Sequence, residues 1–244
     1  MLKVELHTHT SDDPVDRVPH TTIELIDRAA TLGYGALAVT LHERQLDVER
    51  FASYAAERGL VLIPGVERTI EGRHVLLLNF KSGADDVRTF SDLARLKSRQ
   101  PGLVVAPHAF FPAPVCLGSD LDRHPDLFDA VERNAMFTRS VDFNRRAERW
   151  AARYGKPVVG NCDVHRLWQL GTTYSLVDAL PDADAICEAI VAGRVLVEGR
   201  PLSWTEAARV MACMLSGDVL ALQNRFKGKV GRIDVNDQGA LEMR

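Results

Sequence analysis

The stretch Val4-Glu5-Leu6-His7-Thr8-His9-Thr10 decides the fold, because two histidines stand directly after a short apolar segment. We predict that Lys3–Leu6 forms the first strand, which leaves both imidazoles at its carboxyl end. On an extended segment, residues i and i+2 project to the same side. His7 and His9 are therefore expected to bind one metal ion together.

Ligand-type side chains follow later predicted strands in the same way. They are His42 after Ala36–Thr40, Glu67 after Leu60–Ile63, His108 after Leu103–Ala106, and Asp163 and His165 after the strand that starts at Val158. The carboxyl ends of the strands in a parallel α/β barrel converge on one face, where active sites form. We therefore expect these side chains to meet in space, although they are far apart in the sequence.

The rest of the chain alternates between short apolar runs and helical stretches, which is typical of βα units and a largely parallel sheet. Thr21-Thr22-Ile23-Glu24 is a capping-box pattern that predicts a helix running to Leu32. Glu71-Gly72 predicts a turn before a fourth, very apolar strand, Arg73–Phe80. The other predicted elements are helices over about Leu46–Arg58, Asp86–Ser98, Asp142–Tyr154 and Asp182–Ala192, a short sixth strand over Ala130–Glu132, and an extended segment over Val195–Val197.

Composition excludes several other classes of protein. With 46% hydrophobic residues in a chain of 244, a packed core is expected and disorder is not. A net charge of −3 argues against a large non-specific nucleic-acid surface. The four cysteines form no C-x-x-C pair, and no apolar run reaches the roughly 18 residues that a membrane span needs. Because no signal peptide is visible, we expect a cytoplasmic protein.

The character of the chain changes near Pro201. Residues 1–200 contain all the ligand-type positions and are predicted to form one domain. Residues 201–244 are predicted to be an extension with a helix over Trp204–Leu215 and a polar tail over Gln223–Arg244. That helix fits either a core or an interface, so the oligomeric state is left open.

The donor types indicate which ions the site takes. Mixed imidazole and carboxylate donors favour Zn²⁺, Mn²⁺ or Fe²⁺ over Ca²⁺. The seven strand-end side chains exceed what one ion needs, since an ion takes about four to six ligands. We therefore expect two or three divalent ions, bridged by a carboxylate such as Glu67 or Asp163. Such multi-metal sites stabilise both oxygens of a phosphoryl displacement and generate hydroxide near neutral pH.

Five ordered segments resemble the motifs of the polymerase and histidinol phosphatase (PHP) superfamily: VELHTHT, AVTLHE, PGVE, APH and GNCDVH. The resemblance runs across roughly residues 1–200. It implies a distorted, TIM-like (β/α)7 barrel with up to three divalent metals and phosphoester hydrolysis. It also implies a ligand set: His7, His9, Glu67 and Asp163 for one metal, Glu67 and His108 for a second, and His42 and His165 for a third, with one residue from the loop after His9.

The loop ligand has three candidates, Asp12, Asp13 and Asp16. Counting back from the following helix favours Asp16, whereas counting forward from His9 favours Asp13; we assign Asp16.

Two further positions follow from the resemblance. Relatives often have a histidine at the start of the strand after the glutamate, and the Glu71-Gly72 turn would fold His74 back beside Glu67, so His74 is included as a ligand. Leu41 stands where relatives commonly have aspartate, and Glu43 is the candidate replacement for the missing supporting carboxylate.

These features predict hydrolysis of a phosphate monoester by a metal-activated hydroxide, with Asp163, Glu67 and His165 as the catalytic residues. Arg139 and Arg166, which lie near predicted strand ends, are expected to bind the phosphate. We expect a small phosphorylated substrate, no membrane partner and no long nucleic acid, since the chain has no basic stripe. His20 and His124 are expected to be surface or capping residues.

Two alternatives stay open. Metal hydroxide also attacks carbonyl groups, so an amide or lactone hydrolase is possible. The other alternative is a non-catalytic metal-binding domain, because in some PHP relatives this unit is attached to a polymerase and is structural.

Overall fold

The computed structural model describes residues 1–213, in which nine strands form one sheet. The strands are β1 (Leu2–Glu5), β2 (Ala36–Val39), β3 (Val61–Ile70), β4 (Arg73–Leu78), β5 (Leu103–Ala106), β6 (Ala130–Asn134), β7 (Val158–Asn161), β8 (Thr173–Val177) and β9 (Val195–Gly199). The helices are α1 (Thr22–Thr31), α2 (Glu49–Ala56), α3 (Phe90–Arg99), α4 (Asp120–Arg123), α5 (Asn144–Tyr154) and α6 (Ala183–Val191), and residues 204–213 are also helical. No helix among these residues is long and apolar enough to cross a membrane.

The sheet curls into a nearly closed barrel. Strands β1, β2 and β3 are parallel, β5, β6 and β7 are parallel, and β4 runs antiparallel to both of its neighbours. A parallel bridge between Thr8 and Val164 joins the carboxyl end of β1 to that of β7, with the amide of His9 donating to the Val164 carbonyl at 3.0 Å. The predicted distorted (β/α)7 barrel is therefore confirmed, and its distortion comes from the reversed strand β4.

The β3–β4 hairpin replaces the helix that would otherwise connect these two strands. Its turn is the predicted Glu71-Gly72 pair, with φ angles of 49° and 82°. Pairing with β4 extends β3 as far as Ile70. Glu67 therefore lies inside the strand, which corrects the expectation that it follows the strand. The extension matters because it places Glu67 and His74 on neighbouring strands of one hairpin.

Hydrophobic packing holds the barrel from both sides. One cluster draws on nearly every strand, and α6 packs against it through Ile186 and Ile190. A second lies beneath α1 and α2, and a third beneath α3 and α5. Helix α1 has the predicted capping box, in which the Thr21 side chain accepts from the Glu24 amide and the Glu24 side chain accepts from the Thr21 amide.

Two element predictions were wrong. Helix α3 begins at Phe90 and not near Asp86, because Thr89 caps it in a capping box with Asp92 and residues 84–86 form a separate 3-10 turn. Strand β8 was missed altogether. The predicted helix over Trp204–Leu215 is described up to residue 213, and the predicted tail over Gln223–Arg244 lies outside the described residues.

Candidate metal centre

The strand ends bring eight of the nine predicted metal ligands into one cluster. Five triplets of side chains have donor atoms within 4.8 Å of one another. The triplets are His7–His108–Asp163, His7–His9–Glu67, His9–Asp13–His42, His9–Asp163–His165 and His42–Glu67–His74. Asp16 is the predicted ligand that none of these triplets includes, and Asp13 takes part instead.

Glu67 lies at the centre of the cluster. Its Oε2 is 3.2 Å from His7 Nε2 and 3.3 Å from both His9 Nε2 and His42 Nε2. Its Oε1 is 2.7 Å from His74 Nδ1 and 3.2 Å from His108 Nε2. Burial alone would raise the pKa of this carboxyl, but the surrounding imidazoles hold the pKa well below its usual value. Glu67 is therefore an ionised carboxylate, with three imidazoles beside Oε2 and two beside Oε1.

Asp163 and His165 close the opposite side. Asp163 Oδ1 lies 3.4 Å from His7 Nε2, 3.6 Å from His9 Nε2 and 3.4 Å from His165 Nδ1. Although burial opposes ionisation, the neighbouring imidazoles lower the pKa of Asp163. Its side chain keeps 15% of its surface exposed, whereas that of His7 is fully buried. Asp163 is therefore an ionised group that keeps part of its surface open to solvent.

Glu132 supports His7 from behind, and the sequence had not marked it as a functional residue. It is fully buried, and its Oε2 lies 3.1 Å from His7 Nδ1 and accepts the His108 amide at 3.1 Å. Its Oε1 accepts from the Asn134 side chain at 3.0 Å. The hydrogen bond on Nδ1 leaves Nε2 of His7 directed into the cluster, as is usual for imidazoles that bind metals. A charged residue inside the short apolar strand Ala130–Glu132 was the available signal.

Glu43 does not support His42, which corrects our expectation for the second motif. Its carboxylate pairs with the fully buried Arg68 and accepts the Thr69 amide at 3.1 Å. Arg68 also donates to the Glu43 carbonyl at 2.6 Å. Because Glu43 and Arg68 are the chain neighbours of His42 and Glu67, this pair fixes the relative position of two cluster segments.

The loop after His9 places two acidic side chains against imidazoles of the cluster. Asp13 Oδ2 lies 2.9 Å from His9 Nδ1 and 3.0 Å from His42 Nδ1. Asp16 Oδ2 lies 2.9 Å from His165 Nε2 and 4.0 Å from His42 Nδ1. Asp12, the third candidate, is exposed and accepts from the Thr22 hydroxyl at 3.4 Å.

The donor set fits divalent metal ions. His9 Nε2 is buried and makes no hydrogen bond, although Glu67 Oε2 lies 3.3 Å away. A buried polar atom without a partner is costly, and an ion bound at this point would satisfy it. Burial opposes protonation of His42, but the carboxylates of Glu67 and Asp13 raise its pKa to about 9. A bound cation would replace such protons as the charge that balances the carboxylates.

The remaining predicted site residues lie outside the cluster. Arg166 is next to it in sequence, and its guanidinium donates to the His165 carbonyl at 2.8 Å and to the Arg17 carbonyl at 3.4 Å. Arg139 is exposed and lines a groove of about 410 Å³ with residues 200–204.

His124 is a partly buried helix cap whose ring stacks on Phe90. His20, which we expect to be a surface or capping residue, is buried at 4% exposed and directly precedes Thr21, the N-cap of α1.

A family model described as PHP-associated matches residues 142–195, which run from just before α5 to the start of β9. The matched residues include Asp163 and His165 and lie within the stretch whose ordered motifs resemble the PHP superfamily, so the match supports that resemblance. No curated protein matches this chain significantly.

Solved structures with the same fold share little sequence with this chain. A two-domain protein from Bacteroides vulgatus that contains a predicted PHP-like metal-dependent phosphoesterase has a TM-score of 0.64 at 16% identity, over 85% of this chain and 68% of that one. PsfC from Pseudomonas syringae has a TM-score of 0.60 at 17% identity, over 90% and 98%. The lesion-specific endonuclease Q from Pyrococcus furiosus has a TM-score of 0.53 at 15% identity, over 86% and 66%. At such identities the likeness establishes the fold.

Proposed function

We propose that this protein is a metal-dependent phosphoesterase that hydrolyses a phosphate monoester on a small molecule. The observation that supports this most is the position of Glu67, whose two carboxylate oxygens each face a separate set of imidazoles. A carboxylate in that position is suited to bridge two ions. We propose His7, His9, Glu67 and Asp163 as ligands of one ion, Glu67, His74 and His108 of a second, and Asp16, His42 and His165 of a third.

Two or three Mn²⁺, Zn²⁺ or Fe²⁺ ions bound in this cluster would neutralise charge on the phosphate oxygens and supply hydroxide near neutral pH. The chain's own residues hold the geometry, since Glu132 and Asp13 fix the rings of His7 and His9. The Asp163 carboxylate is ionised and its side chain is partly exposed, so it is suited to accept a proton. Glu67 and His165 complete the proposed catalytic set by binding and orienting groups around the reacting phosphate.

Substrate size is proposed from charge and from the groups near the cluster. The chain has a net charge of −3, which does not favour a long polyanion. Arg166 lies beside the cluster and is the better candidate for a phosphate contact, because its guanidinium is already turned towards the loop that contains Asp16. Arg139 would contact the substrate at the groove that it lines. The fold of endonuclease Q makes nucleic acid the competing substrate class.

The test is hydrolysis of an aryl phosphate monoester by the purified full chain, with Mn²⁺ added and after chelation. We expect activity that requires the ion and is lost in His7→Ala and in Glu67→Gln. His124→Ala is the matched control, since it removes an imidazole outside the cluster and should retain activity.

A panel of nucleoside monophosphates, an aryl ester of a carboxylic acid and lesion-containing duplex DNA assigns the substrate class. Turnover of the DNA or carboxylic ester alone would reject the monoesterase, and activity unaffected by chelation would reject metal dependence.

A further inference from the structure

Asp13 accepts three backbone amides in addition to facing two imidazole nitrogens of the cluster. Its Oδ2 lies 2.9 Å from His9 Nδ1 and 3.0 Å from His42 Nδ1, and it accepts the His42 amide at 2.9 Å. Its Oδ1 accepts the amides of Val15 at 2.9 Å and Asp16 at 2.8 Å. The Asp13 side chain has no exposed surface.

The donors on Asp13 include backbone amides, which a metal ion does not replace. Three amides, those of Val15, Asp16 and His42, donate to its carboxylate, and the Nδ1 atoms of His9 and His42 also face it, which exceeds the roughly four lone-pair sites of a carboxylate. The neighbours of Glu67 differ, because they are imidazole nitrogens that can direct a lone pair at an ion. The Asp16 carboxylate differs, because its side chain is 26% exposed and its Oδ2 lies beside His165 Nε2 at 2.9 Å. Asp16 therefore retains lone pairs that a metal ion can use.

We propose that Asp13 is a positioning residue that sets the ring orientation of His9 and His42 and directs Asp16 towards His165, without binding metal itself. This proposal rests on the proposed metal dependence of the site. By accepting from Nδ1 of both rings, Asp13 leaves the lone pair of each on Nε2, and both Nε2 atoms lie 3.3 Å from Glu67 Oε2. One carboxylate thus orients two ligand imidazoles, those of His9 and His42, which are 33 positions apart in the sequence.

The same contact explains how the second motif functions with Leu41 in place of a carboxylate. Leu41 is a fully buried core residue, and Glu43 is engaged with Arg68. Asp13 reaches His42 Nδ1 from a different segment and supplies the missing acceptor. Asp13 Oδ1 accepts the backbone amides of Val15 and Asp16. A short stretch of backbone therefore links Asp13, which accepts from His42, to Asp16, the proposed loop ligand.

The test compares Asp13→Asn with Asp16→Asn and Asp12→Asn in the full chain. An amide in place of Asp13 still accepts the Val15 and Asp16 amides through its oxygen, but its NH₂ then faces the two Nδ1 atoms. Each ring is thereby driven to protonate Nε2, which removes the lone pair that binds metal. Asp12→Asn changes the same charge in the same loop and touches neither ring, so it is the matched control.

Affinity and stoichiometry are measured with Zn²⁺ by chelator competition and elemental analysis, and folding is checked by circular dichroism. We expect Asp13→Asn to weaken Zn²⁺ binding about 10- to 100-fold, as loss of a supporting carboxylate does. Asp16→Asn should lose one equivalent of Zn²⁺ and leave the others bound, and Asp12→Asn should match the wild type. Loss of a single equivalent in Asp13→Asn, with the rest unchanged, would make Asp13 a ligand and overturn the proposal.

A measurement on the wild type keeps the proposal testable if Asp13→Asn does not fold. Histidine ¹⁵N spectra of the Zn²⁺-loaded protein should show a protonated Nδ1 on both His9 and His42. Metal bound through Nδ1 of either ring would overturn the positioning role while leaving the metal site intact. Failure of the wild type to bind Zn²⁺, Mn²⁺ or Fe²⁺ would instead overturn the proposed function, and this proposal with it.

Discussion

Individual histidines were predictable because each one follows a strand. His7, His9, His42, His108 and His165 all lie in the cluster, and the alternation of an extended chain directs the side chains of His7 and His9 to the same part of it. Their supporting carboxylates were not predictable in the same way. Glu132 contacts His7 across 125 positions of sequence, so no local spacing reveals the pair.

The pKa values of the imidazoles lead to a prediction at this scale. Burial disfavours the charged form, yet nearby carboxylates raise the pKa of His42 to about 9, and the pKa values of His7 and His108 are raised as well. Metal binds the unprotonated ring, so protons must leave first. We therefore expect Zn²⁺ affinity to increase as pH rises from 6.5 towards about 9 and to level off above it.

The measurement is Zn²⁺ affinity by chelator competition across this pH range, with calorimetry in two buffers to count the protons released. Asp12→Asn serves as the control, because that exposed carboxyl touches no imidazole. A flat affinity with no proton release would show that the rings are already unprotonated at neutral pH.

At the scale of elements, the β3–β4 hairpin determines how Glu67 meets its ligand neighbours. Its register pairs Glu67 with Leu76 and Thr69 with His74, so the two ligand-type residues lie diagonally across the hairpin. The Glu71-Gly72 turn was predictable from residue type, since glycine permits a positive φ. The length of β3 was not, because it depends on pairing with β4 and not on the local apolar run.

Gly72 provides a prediction for this element. Its φ is 82°, and an added Cβ would meet no atom within 4 Å, so substitution there changes backbone strain alone. Gly72→Ala should lower the free energy of unfolding by about 1 to 2 kcal/mol, measured by urea denaturation. Gly72→Asn is the matched control and should lose less, because asparagine tolerates this conformation. Equal losses in both variants would rule out backbone strain as the cause.

Strand β8 has a local strand pattern, but it was not predicted from the sequence. Thr173–Val177 alternates buried and half-buried residues, which is the period of a strand. It lies only a few residues after the site motif that ends in His165, and we assigned no element to it. It pairs antiparallel with β1 and with β9, beside the strands that close the barrel, although helix α6 separates it from β9 in the chain.

For the whole molecule, the expected effect of metal is on stability. Ligands that bind only the folded state stabilise it by about 2.7 kcal/mol when present at 100 times their Kd. For a chain of this size, that corresponds to a rise in Tm of roughly 5 to 10 °C. We expect this rise on adding Mn²⁺ or Zn²⁺ to the metal-free wild type, measured by thermal unfolding.

The same experiment on two variants locates the effect. His7→Ala should lose most of the rise, whereas His124→Ala should keep it, because His124 stacks on Phe90 outside the cluster. An equal rise in His7→Ala would mean that the ion stabilises the protein from another site.

The sequence by itself determined the kind of site, because donor types and their spacing after strands are local properties. His7-x-His9, His42, Glu67 and Asp163-x-His165 are enough to predict a metal cluster at the strand ends of a barrel. The tertiary structure decided the contacts between them. The bridge between Thr8 and Val164 closes the barrel, and that closure sets which oxygen of Glu67 faces which ring and which acid supports which imidazole. Those choices depend on strand order and register, which join residues that no local pattern relates.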